Sequence, residues 1–344
     1  MRELTGVPLA GRTTLRLGGP ARRLVEVDEE PELVDLVRRL DRAGEPVLVL
    51  GGGSNLVVAD AGFDGTVVAL GTRGMSVTGD GEHVRVVVAA GEPWDGVVAR
   101  AVADGLSGVE ALSGIPGCTG ATPIQNVGAY GQEVADVLTG VRALDRGSGQ
   151  VVELDAAACG FGYRDSALKR APGRYLVLAV TIRLSRSAAA QPVRYAELAM
   201  ALDVPVGATA PLADARAAVL TLRRSKGMVL DADDPDTASA GSFFTNPLLS
   251  PAEAAALPEA APRFPQPDGR VKTSAAWLIE HAGFGRGYGP GPARISGKHT
   301  LALTNPGGAT TADLLALAGE IRAGVRAAYG VELAAEPVLV GCSL

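Results

Sequence analysis

The sequence predicts an α+β protein of two or three domains, and three observations support that fold class. The chain has 344 residues, of which 47% are apolar, enough to fill more than one hydrophobic core. Short apolar runs typical of strands are mixed with runs that have the spacing of amphipathic helices. Small residues over 185–191, with Pro192 after them, mark a domain boundary, and the segments beyond it are richer in helix and acidic residues.

Composition argues against several classes of protein. No apolar run of about twenty residues occurs, and residues 1–27 do not resemble a secretory signal, so we expect a cytoplasmic protein without a membrane span. The three cysteines, at 118, 159 and 342, have no spacing typical of disulfide frameworks or zinc sites. A net charge of −6 without a basic face argues against nucleic acid as a partner. The three histidines, at 83, 281 and 299, form no metal-ligand cluster.

The elements follow from hydrophobic periodicity and turn residues. Strands are predicted where short apolar runs are bounded by turn residues, at 24–27, 47–50, 56–59, 67–70, 84–88, 141–144, 151–154, 175–184, 301–304 and 331–340. Helices are predicted where apolar residues recur with helical spacing, at 31–43, 94–104, 211–224, 277–281 and 314–329. Thr310 and Asp313 form a capping box for the last helix. The acidic run 231–236 is expected to be flexible, and the last strand to carry Glu336 near its middle.

A glycine-rich loop, Gly51-Gly52-Gly53-Ser54-Asn55, follows the strand at 47–50. The order of strand, helix, strand and glycine loop is similar to a dinucleotide-binding unit. However, Leu56 stands at the third glycine position of GxGxxG, and a strand, not a helix, is predicted next. The loop therefore offers no helix N-terminus to a pyrophosphate, although its consecutive N–H groups can form an anion-binding nest.

Residues 115–131, IPGCTGATPIQNVGAYG, form the stretch around which the rest of the chain is organised; we call it the organising loop. Its four glycines let a ligand approach the main chain, and its two prolines restrict the backbone without adding donors. Gln125 and Asn126 add amide groups that suit ring carbonyls and phosphate oxygens. An unremarkable surface loop between domains is the alternative, but an uncharged loop of this length is more often functional than disordered.

Five motifs in this order resemble one family: GGGSN at 51–55, the organising loop, FGYRDS at 161–166, GSFFTNP at 241–247, and Glu336. The family is UDP-N-acetylenolpyruvoylglucosamine reductase, a flavoenzyme of peptidoglycan precursor synthesis, in the class that has a substrate-covering tyrosine loop. The resemblance covers nearly the whole chain. It implies a two-domain FAD-binding module of the vanillyl-alcohol-oxidase/PCMH type plus a C-terminal α+β substrate domain. The corresponding domains are 1–70, with 337–344 returning to it, 71–190 and 191–336.

The resemblance also implies roles for individual residues. Non-covalent FAD would be held by the two glycine-rich loops, at Gly51, Gly52, Gly53, Ser54, Asn55, Pro116, Gly117, Cys118, Gln125, Asn126, Gly128, Ala129 and Tyr130. NADPH and UDP-N-acetylglucosamine enolpyruvate would use one site in turn, with Tyr195, Arg223, Lys226 and Asn246 holding the UDP-sugar. The implied catalytic residues are Arg164, Ser242 and Glu336. The resemblance implies no metal and no macromolecular partner, and a monomer is expected.

The residue types suit this chemistry. Reduced flavin would transfer hydride to the enolpyruvyl group, leaving negative charge on the adjacent carbon and its carboxylate. Arg164 can bind a carboxylate through two N–H groups, and a protonated Glu336 can hydrogen-bond to the intermediate. Ser242 would then protonate the carbanionic carbon. Because serine is a weak acid, this role requires that its hydroxyl lie next to the strongly basic carbon.

Each residue also has an ordinary structural interpretation. Arg164 could pair with the adjacent Asp165, and Ser242 could cap a turn. Arg223 and Lys226 suit a helix C-terminus whether or not a diphosphate binds there, although only four of the 32 cations are lysine, which favours a role for Lys226. Glu336 on an apolar strand is harder to explain structurally, because burying a lone carboxylate is costly.

The sequence departs from the family pattern at three places. Thr245 stands where many relatives have lysine, and Ala121 where a hydroxyl is common. Ala335 precedes Glu336 where many relatives have proline. If the register slipped, Glu332 would take the catalytic role of Glu336, but a solvated position is expected for Glu332. The roles of the polar residues near the third domain remain open: Lys272, His281, Arg294, Lys298 and His299.

Two other functions compete with the reductase. A flavin oxidase acting on an alcohol or sugar lactone would share the FAD-binding architecture, but many such enzymes attach flavin through histidine, and neither glycine-rich loop contains one. A non-catalytic UDP-sugar-binding regulator would lack at least one of Arg164, Ser242 and Glu336, and all three are present.

Overall fold

A computed structural model describes all residues, 1–344, and the chain divides into two compact units. Unit 1 comprises residues 1–7, 21–52 and 64–229, and unit 2 comprises residues 8–20, 53–63 and 230–344. None of the helices combines the length and apolar composition that crossing a membrane requires.

The chain forms twenty strands and ten α-helices. The strands, in chain order, are β1 (Arg2–Pro8), β2 (Pro20–Val27), β3 (Val47–Leu50), β4 (Leu56–Val58), β5 (Phe63–Leu70), β6 (Met75–Thr78), β7 (His83–Ala89), β8 (Leu106–Ser107), β9 (Gly128–Ala129), β10 (Gln132–Glu133), β11 (Leu138–Asp145), β12 (Gln150–Asp155), β13 (Tyr175–Arg186), β14 (Ser239–Ser242), β15 (Leu248–Leu249), β16 (Phe264–Pro265), β17 (Val271–Lys272), β18 (Arg294–Ile295), β19 (Ala302–Thr304) and β20 (Val338–Val340). The helices are α1 (Glu30–Arg42), α2 (Trp94–Ala103), α3 (Thr122–Gln125), α4 (Ala156–Cys159), α5 (Ala167–Arg170), α6 (Ala196–Ala201), α7 (Leu212–Ser225), α8 (Pro251–Ala256), α9 (Ala275–His281) and α10 (Thr311–Tyr329).

Unit 1 contains two sheets. The first has the strand order β1-β2-β5-β3, and β3 and β5 are parallel. The apolar stripe of α1 packs between this sheet and the second one, where Leu33 and Leu36 share a core with Val68 and Leu178. This packing follows from the helical spacing of apolar residues in α1.

The second sheet of unit 1 is antiparallel, with the order β12-β11-β13-β7-β6 and with β8 added to β13. Alternate residues of β7, including Val84, Val86 and Val88, face a core that also holds Trp94 of α2. The alternation buries one face of the strand, as expected for period-two patterning. The organising loop follows α2 and β8, and Ile115, Ile124 and Val127 pack on this core.

Unit 2 packs α9 and α10 against short strands. Its sheets have the orders β14-β19-β18 and β15-β17-β16, and β20 pairs in parallel with β4. One core holds Phe243, Leu278, Leu314 and Ile321. The capping box of α10 is present, with Thr310 accepting a hydrogen bond from the Asp313 N–H, as the sequence predicts.

The prediction of one strand over 331–340 is wrong, because only Val338–Val340 is a strand. Residues 334–336 instead make two isolated backbone hydrogen bonds to the GSFFTNP segment. The Thr245 N–H donates to Ala334 O (3.1 Å), and the Glu336 N–H donates to Phe243 O (2.8 Å). Pro337 then interrupts the pairing, since it has no N–H to donate. Glu336 therefore lies before the strand and is half-buried, not enclosed in a sheet.

The acidic run 231–236 makes hydrogen bonds and an ion pair. Thr237 Oγ1 donates to the carbonyl oxygens of Asp231 (2.7 Å) and Asp234 (2.8 Å), and Lys298 Nζ pairs with Asp234 (2.6 Å). The hydrogen bond from Lys298 to Asp234 raises the pKa of that lysine. The acidic residues thus lie in a hydrogen-bonded turn.

Candidate functional site

Two glycine-rich loops of unit 1 approach each other closely. A Cβ atom on Gly52 would lie 2.7 Å from the Cα of Gly117, and one on Gly51 would lie 3.4 Å from the Cβ of Cys118. Gly117 also has φ +116°, which disfavours any side chain. Glycine at 52 and 117 is therefore needed for the main chains to meet. The segment formed by Gly51, Gly52 and residues 116–118 offers backbone groups to a ligand.

The organising loop is held against the second sheet of unit 1. Gly120 N–H donates to Ala90 O (2.8 Å), and a Cβ on Gly120 would lie 2.7 Å from that of Ala90. One helical turn, α3, follows and ends at Asn126, whose side chain bonds to Glu133 (2.8 Å), Gly162 O (3.0 Å) and the Ala135 N–H (3.1 Å). Asn126 is fully buried, so it organises the loop through its side chain.

Three predicted site residues of unit 1 have left-handed backbone conformations that are unusual outside glycine. The φ angles are 43° for Asn126, 49° for Tyr130 and 52° for Arg164. Such conformations cost about 1 kcal/mol or more and are concentrated at functional sites. Only two further non-glycine residues in the chain share this conformation, Arg16 and Asp203. Two of the three predicted site residues, Asn126 and Tyr130, lie in the organising loop, and Arg164 contacts that loop.

Arg164 reaches the organising loop. Its Nη2 donates to Gly128 O (2.5 Å), and its Nη1 lies 3.5 Å from Asn126 O. A Cβ on Gly128 would lie 3.0 Å from Arg164 Nη1, so a small residue is needed there. The neighbouring Asp165 pairs with Arg170. The guanidinium of Arg164 is thus oriented by main-chain carbonyls beside Gly128 and Ala129.

Lys169 is a functional candidate that sequence reasoning missed. Its Nζ donates to Gln125 Oε1 (2.9 Å) and to Arg164 O (2.9 Å), so it connects a predicted flavin-binding residue with a predicted catalytic residue. The available signal was that only four lysines occur in the chain. Glu133, which holds Asn126, had no comparable signal.

Predicted substrate residues of unit 1 lie beside Tyr130, a predicted flavin-binding residue. The rings of Tyr130 and Tyr195 meet edge to face with centroids 5.5 Å apart, and Lys226 Nζ lies 5.7 Å from the centre of the Tyr130 ring. Burial raises the pKa of Tyr130 to about 12. We call Tyr130, Tyr195, Arg223 and Lys226 the nucleotide cluster. Tyr195 is 46% exposed, which leaves its ring accessible to a ligand.

Arg223 is held in an unusual environment. Its Nη2 donates to Met228 O (2.8 Å), whereas its buried Nε has no hydrogen-bond partner. Burial lowers the pKa of the guanidinium to about 10. A buried donor without an acceptor is costly, and it is the kind of group that a bound anion satisfies.

Asp95 connects the organising loop to the helix that carries Arg223. It accepts from the Gly114 N–H (2.6 Å) and forms a bidentate pair with Arg216 of α7 (2.7 and 3.1 Å). Burial raises the pKa of this carboxyl, but the hydrogen bonds from Arg216 and Gly114 outweigh burial, and the net pKa is lowered. No sequence pattern pointed to Asp95.

In unit 2, the rest of the first glycine loop lies against an N-terminal segment. Gly53 has φ +61°, and a Cβ there would overlap the carbonyl oxygen of Arg12. Ser54 is half-buried, and Asn55 donates from Nδ2 to Glu336 O (3.4 Å) while its own carbonyl accepts from the Val338 N–H (2.9 Å). Sequence reasoning passed over residues 12–19, whose Gly18-Gly19 pair was a signal for this loop.

Ser242 and Glu336 are brought together in unit 2. Ser242 ends β14, and the next residue, Phe243, accepts the Glu336 N–H at 2.8 Å. Both residues are half-buried. Glu332, the alternative to Glu336, is exposed and pairs with Arg322 (3.3 Å) and Arg326 (3.7 Å), as its expected solvated position suggests.

The remaining polar candidates of unit 2 lie on several different elements. Asn246 Oδ1 accepts from the Ala275 N–H at the start of α9 (2.9 Å). His281 stacks on Trp277 with ring centroids 3.9 Å apart. Arg294 pairs with Thr304 across the sheet, His299 N–H donates to Ser296 (3.2 Å), and Lys272 lies in β17. Thr245 bonds to Ala334 through its main chain.

Comparison with known proteins places this geometry in a class. A family model described as an FAD binding domain matches residues 21–155, which include both glycine-rich loops. Close approach of glycine main chains at 52 and 117 fits a dinucleotide cofactor bound by the backbone. The chain is therefore an FAD-dependent oxidoreductase, and FAD as cofactor and the two-part FAD-binding architecture with a further C-terminal domain are confirmed.

A second family model, the C-terminal domain of UDP-N-acetylenolpyruvoylglucosamine reductase, matches residues 233–340. The reductase of that name from Thermobifida fusca (strain YX) is 59% identical over 98% of both chains, and that from Salinispora arenicola (strain CNS-205) is 58% identical over 98% of this chain and 95% of its own. The crystal structure of the Thermus caldophilus reductase superimposes with a TM-score of 0.67, at 28% identity and 98% coverage of both chains. The chain belongs to the UDP-N-acetylenolpyruvoylglucosamine reductase family, which confirms the resemblance.

Proposed function

We propose that this protein reduces UDP-N-acetylglucosamine enolpyruvate to UDP-N-acetylmuramate with NADPH, a step in peptidoglycan precursor synthesis. The observation that carries the proposal is 52–59% identity, over at least 98% of this chain, to proteins named for that reductase activity. When bound, FAD supplies hydride transfer between NADPH and the enolpyruvyl group. All other functions are assigned to side chains and backbone groups of this chain.

FAD binding is assigned to the two glycine-rich loops. The main chain of 51–55 and of 116–118 would hold the diphosphate and ribityl groups, since the glycines at 51, 52, 53 and 117 can present N–H groups without side-chain obstruction. Gln125, Asn126 and 128–130 would line the isoalloxazine ring. Support comes from the fixed geometry of Asn126, which is buried and makes three hydrogen bonds.

Arg164 is assigned to the enolpyruvyl carboxylate. Because two main-chain carbonyls orient its guanidinium, little conformational entropy is lost when a carboxylate binds. The developing negative charge of the intermediate would meet this fixed cation, which stabilises the transition state relative to the bound substrate.

Ser242 is assigned as the proton donor and Glu336 as a hydrogen-bond donor to the intermediate. The 2.8 Å bond from Glu336 N–H to Phe243 O fixes the backbone positions of both residues relative to each other. A weak acid such as serine is effective only next to a strongly basic carbon, so its placement decides its role.

The UDP group is assigned to Tyr195, Arg223 and Lys226 of the nucleotide cluster and to Asn246. Lys226 and the unsatisfied Nε of Arg223 offer donors to diphosphate oxygens, and Tyr195 offers an exposed ring. We assign 1–70 with 337–344, 71–190 and 191–336 as the three functional domains. A monomer acting in the cytoplasm on small molecules alone fits an enzyme whose named relatives act on a nucleotide sugar.

Anaerobic stopped flow tests the proposal. The holoenzyme is reduced with one equivalent of NADPH and mixed with UDP-N-acetylglucosamine enolpyruvate while flavin absorbance is followed. Rapid reoxidation with formation of the lactyl ether is expected. Flavin that stays reduced with this substrate but is reoxidised by oxygen would support the oxidase instead, and a protein unable to bind flavin would contradict the assignment of the glycine loops.

A further inference from the structure

Glu197 is the carboxylate that engages a cation of the nucleotide cluster. Lys226 Nζ lies 2.5 Å from Glu197 Oε2, the distance of a charge-assisted hydrogen bond. The same ammonium lies over the ring of Tyr130, which in turn meets Tyr195 edge to face. Glu197 stands two residues after Tyr195, in the first turn of α6. No role was assigned to it by the sequence analysis.

Packing fixes the two partners relative to each other. Leu198 and Ala199 of α6 share a small core with Val219 of α7, and Tyr130 packs on the same core. Lys226 caps the C-terminal end of α7. A Cβ on Gly131 would lie 3.0 Å from that of Arg194, so the segment before α6 lies directly on the organising loop. Glu197 is therefore presented to Lys226 by a packed scaffold.

Charge balance indicates what this contact does. Lys226 and Arg223 are two cations beside Tyr130; burial is the main cause of the raised pKa of that tyrosine, the charge of Arg223 lowers this pKa, and the charge of Glu197 raises it. A diphosphate needs the donors and the positive charge of Lys226, and in the ligand-free chain the Glu197 carboxylate engages one of these donors and balances that charge. The half-buried pair, with side chains 28% and 40% exposed, can be displaced by a more highly charged anion.

We propose that Glu197 is an internal competitor for Lys226 that the diphosphate of the UDP-sugar must displace, and that it thereby limits the affinity of the nucleotide cluster. This inference rests on the proposed function, in which one site serves two nucleotides in turn. Weakened binding favours release of each nucleotide before the next one enters. Glu197 thus adjusts the affinity of the nucleotide cluster and is not a catalytic residue.

The Glu197→Gln variant tests the inference. Calorimetric titration of oxidised holoenzyme with UDP is expected to give about threefold to fivefold tighter binding in the variant, the range for removing a half-exposed competing ion pair. The gain is expected to disappear in a Lys226→Met background, because the competition acts only through that ammonium. Slower release of UDP, measured by displacement, is expected to accompany the tighter binding.

Glu3→Gln is the matched control, because it also removes one carboxylate from an ion pair in unit 1, that with Arg23 (2.8 Å), far along the chain from the cluster. It is expected to leave UDP affinity unchanged. Unchanged or weaker UDP binding in Glu197→Gln, with wild-type binding intact and melting temperature preserved, would overturn the role of Glu197 alone. Failure of the wild-type holoenzyme to bind UDP would overturn the nucleotide cluster itself and this inference with it.

Discussion

The Nη2 of Arg164 donates to the carbonyl oxygen of Gly128 across 2.5 Å and 36 positions of sequence. This bond attaches the FGYRDS segment to the organising loop and places a cation beside the residues assigned to the flavin ring. Arg164 has a left-handed backbone conformation, and so has Tyr130, which lies two residues after Gly128. The backbone geometry around this hydrogen bond is therefore maintained against local conformational preference.

Arg164→Lys is expected to lower the rate of the substrate half-reaction about 100-fold or more, because an ammonium cannot reproduce the planar fork of donors. Reduction of flavin by NADPH is expected to change little. Stopped flow on each half-reaction separates the two effects. Arg170→Lys is the control, because Arg170 forms an exposed ion pair with Asp165, the residue after Arg164. Equal losses in both half-reactions would contradict the assigned role.

Ser242→Ala is expected to slow the substrate half-reaction by about two to four orders of magnitude, since the hydroxyl is the assigned proton donor. NADPH-driven flavin reduction is expected to stay nearly intact. Ser250→Ala serves for comparison, because Ser250 caps α8 and its loss is expected to cost about 1 kcal/mol of stability without affecting either half-reaction. If Ser242→Ala lost both half-reactions equally, Ser242 would not be the proton donor.

Gly52→Ala is expected to reduce flavin content of the purified protein strongly, because the new Cβ would lie 2.7 Å from the Cα of Gly117. Flavin absorbance per protein and the melting temperature with added FAD provide the measurement. Gly81→Ala is the control, since no atom lies within 4 Å of its added Cβ and its backbone is not left-handed. Full flavin content in Gly52→Ala would show that the loops do not need their close approach.

Arg223→Met is expected to leave the ligand-free protein at least as stable, with a gain of up to about 1 kcal/mol, because a buried donor without a partner is removed. UDP affinity is expected to fall about tenfold or more through loss of a charge-assisted contact. Urea unfolding and calorimetric titration measure the two quantities. A large loss of stability without loss of affinity would make Arg223 a structural residue.

Asp95→Asn is expected to reduce the free energy of unfolding by about 1 kcal/mol at neutral pH, since the bidentate contact of Arg216 is weakened. The folded-state pKa of Asp95 is lowered relative to its ordinary value. Its stabilisation is therefore complete above the unfolded-state pKa and is lost as pH falls through the folded-state pKa. Urea titrations at neutral and acidic pH should show the difference between wild type and variant shrinking on acidification; a constant difference would contradict this.

Most regular elements could be predicted from the sequence, because periodicity and caps are local properties. The helix α1, the capping box of α10 and the strand after the glycine loop are examples. The strand β1 at residues 2–8 was missed, as its residues are mostly exposed and carry no clear alternation. The last strand was predicted too long because the apolar alternation of Val331 and Leu333 reflects packing in the core of unit 2, not a ladder.

The sequence by itself determined the family and the cofactor class, and it predicted the residues assigned to the chemistry, since these depend on residue type, order and spacing. Only the tertiary structure decided which residues meet. Lys169 joins Gln125 to Arg164, and Glu197 pairs with Lys226. The N–H of Glu336 donates to the carbonyl oxygen of Phe243, the residue after Ser242. These contacts join distant positions, and their geometry is set when loops close over a packed core, which no local pattern encodes.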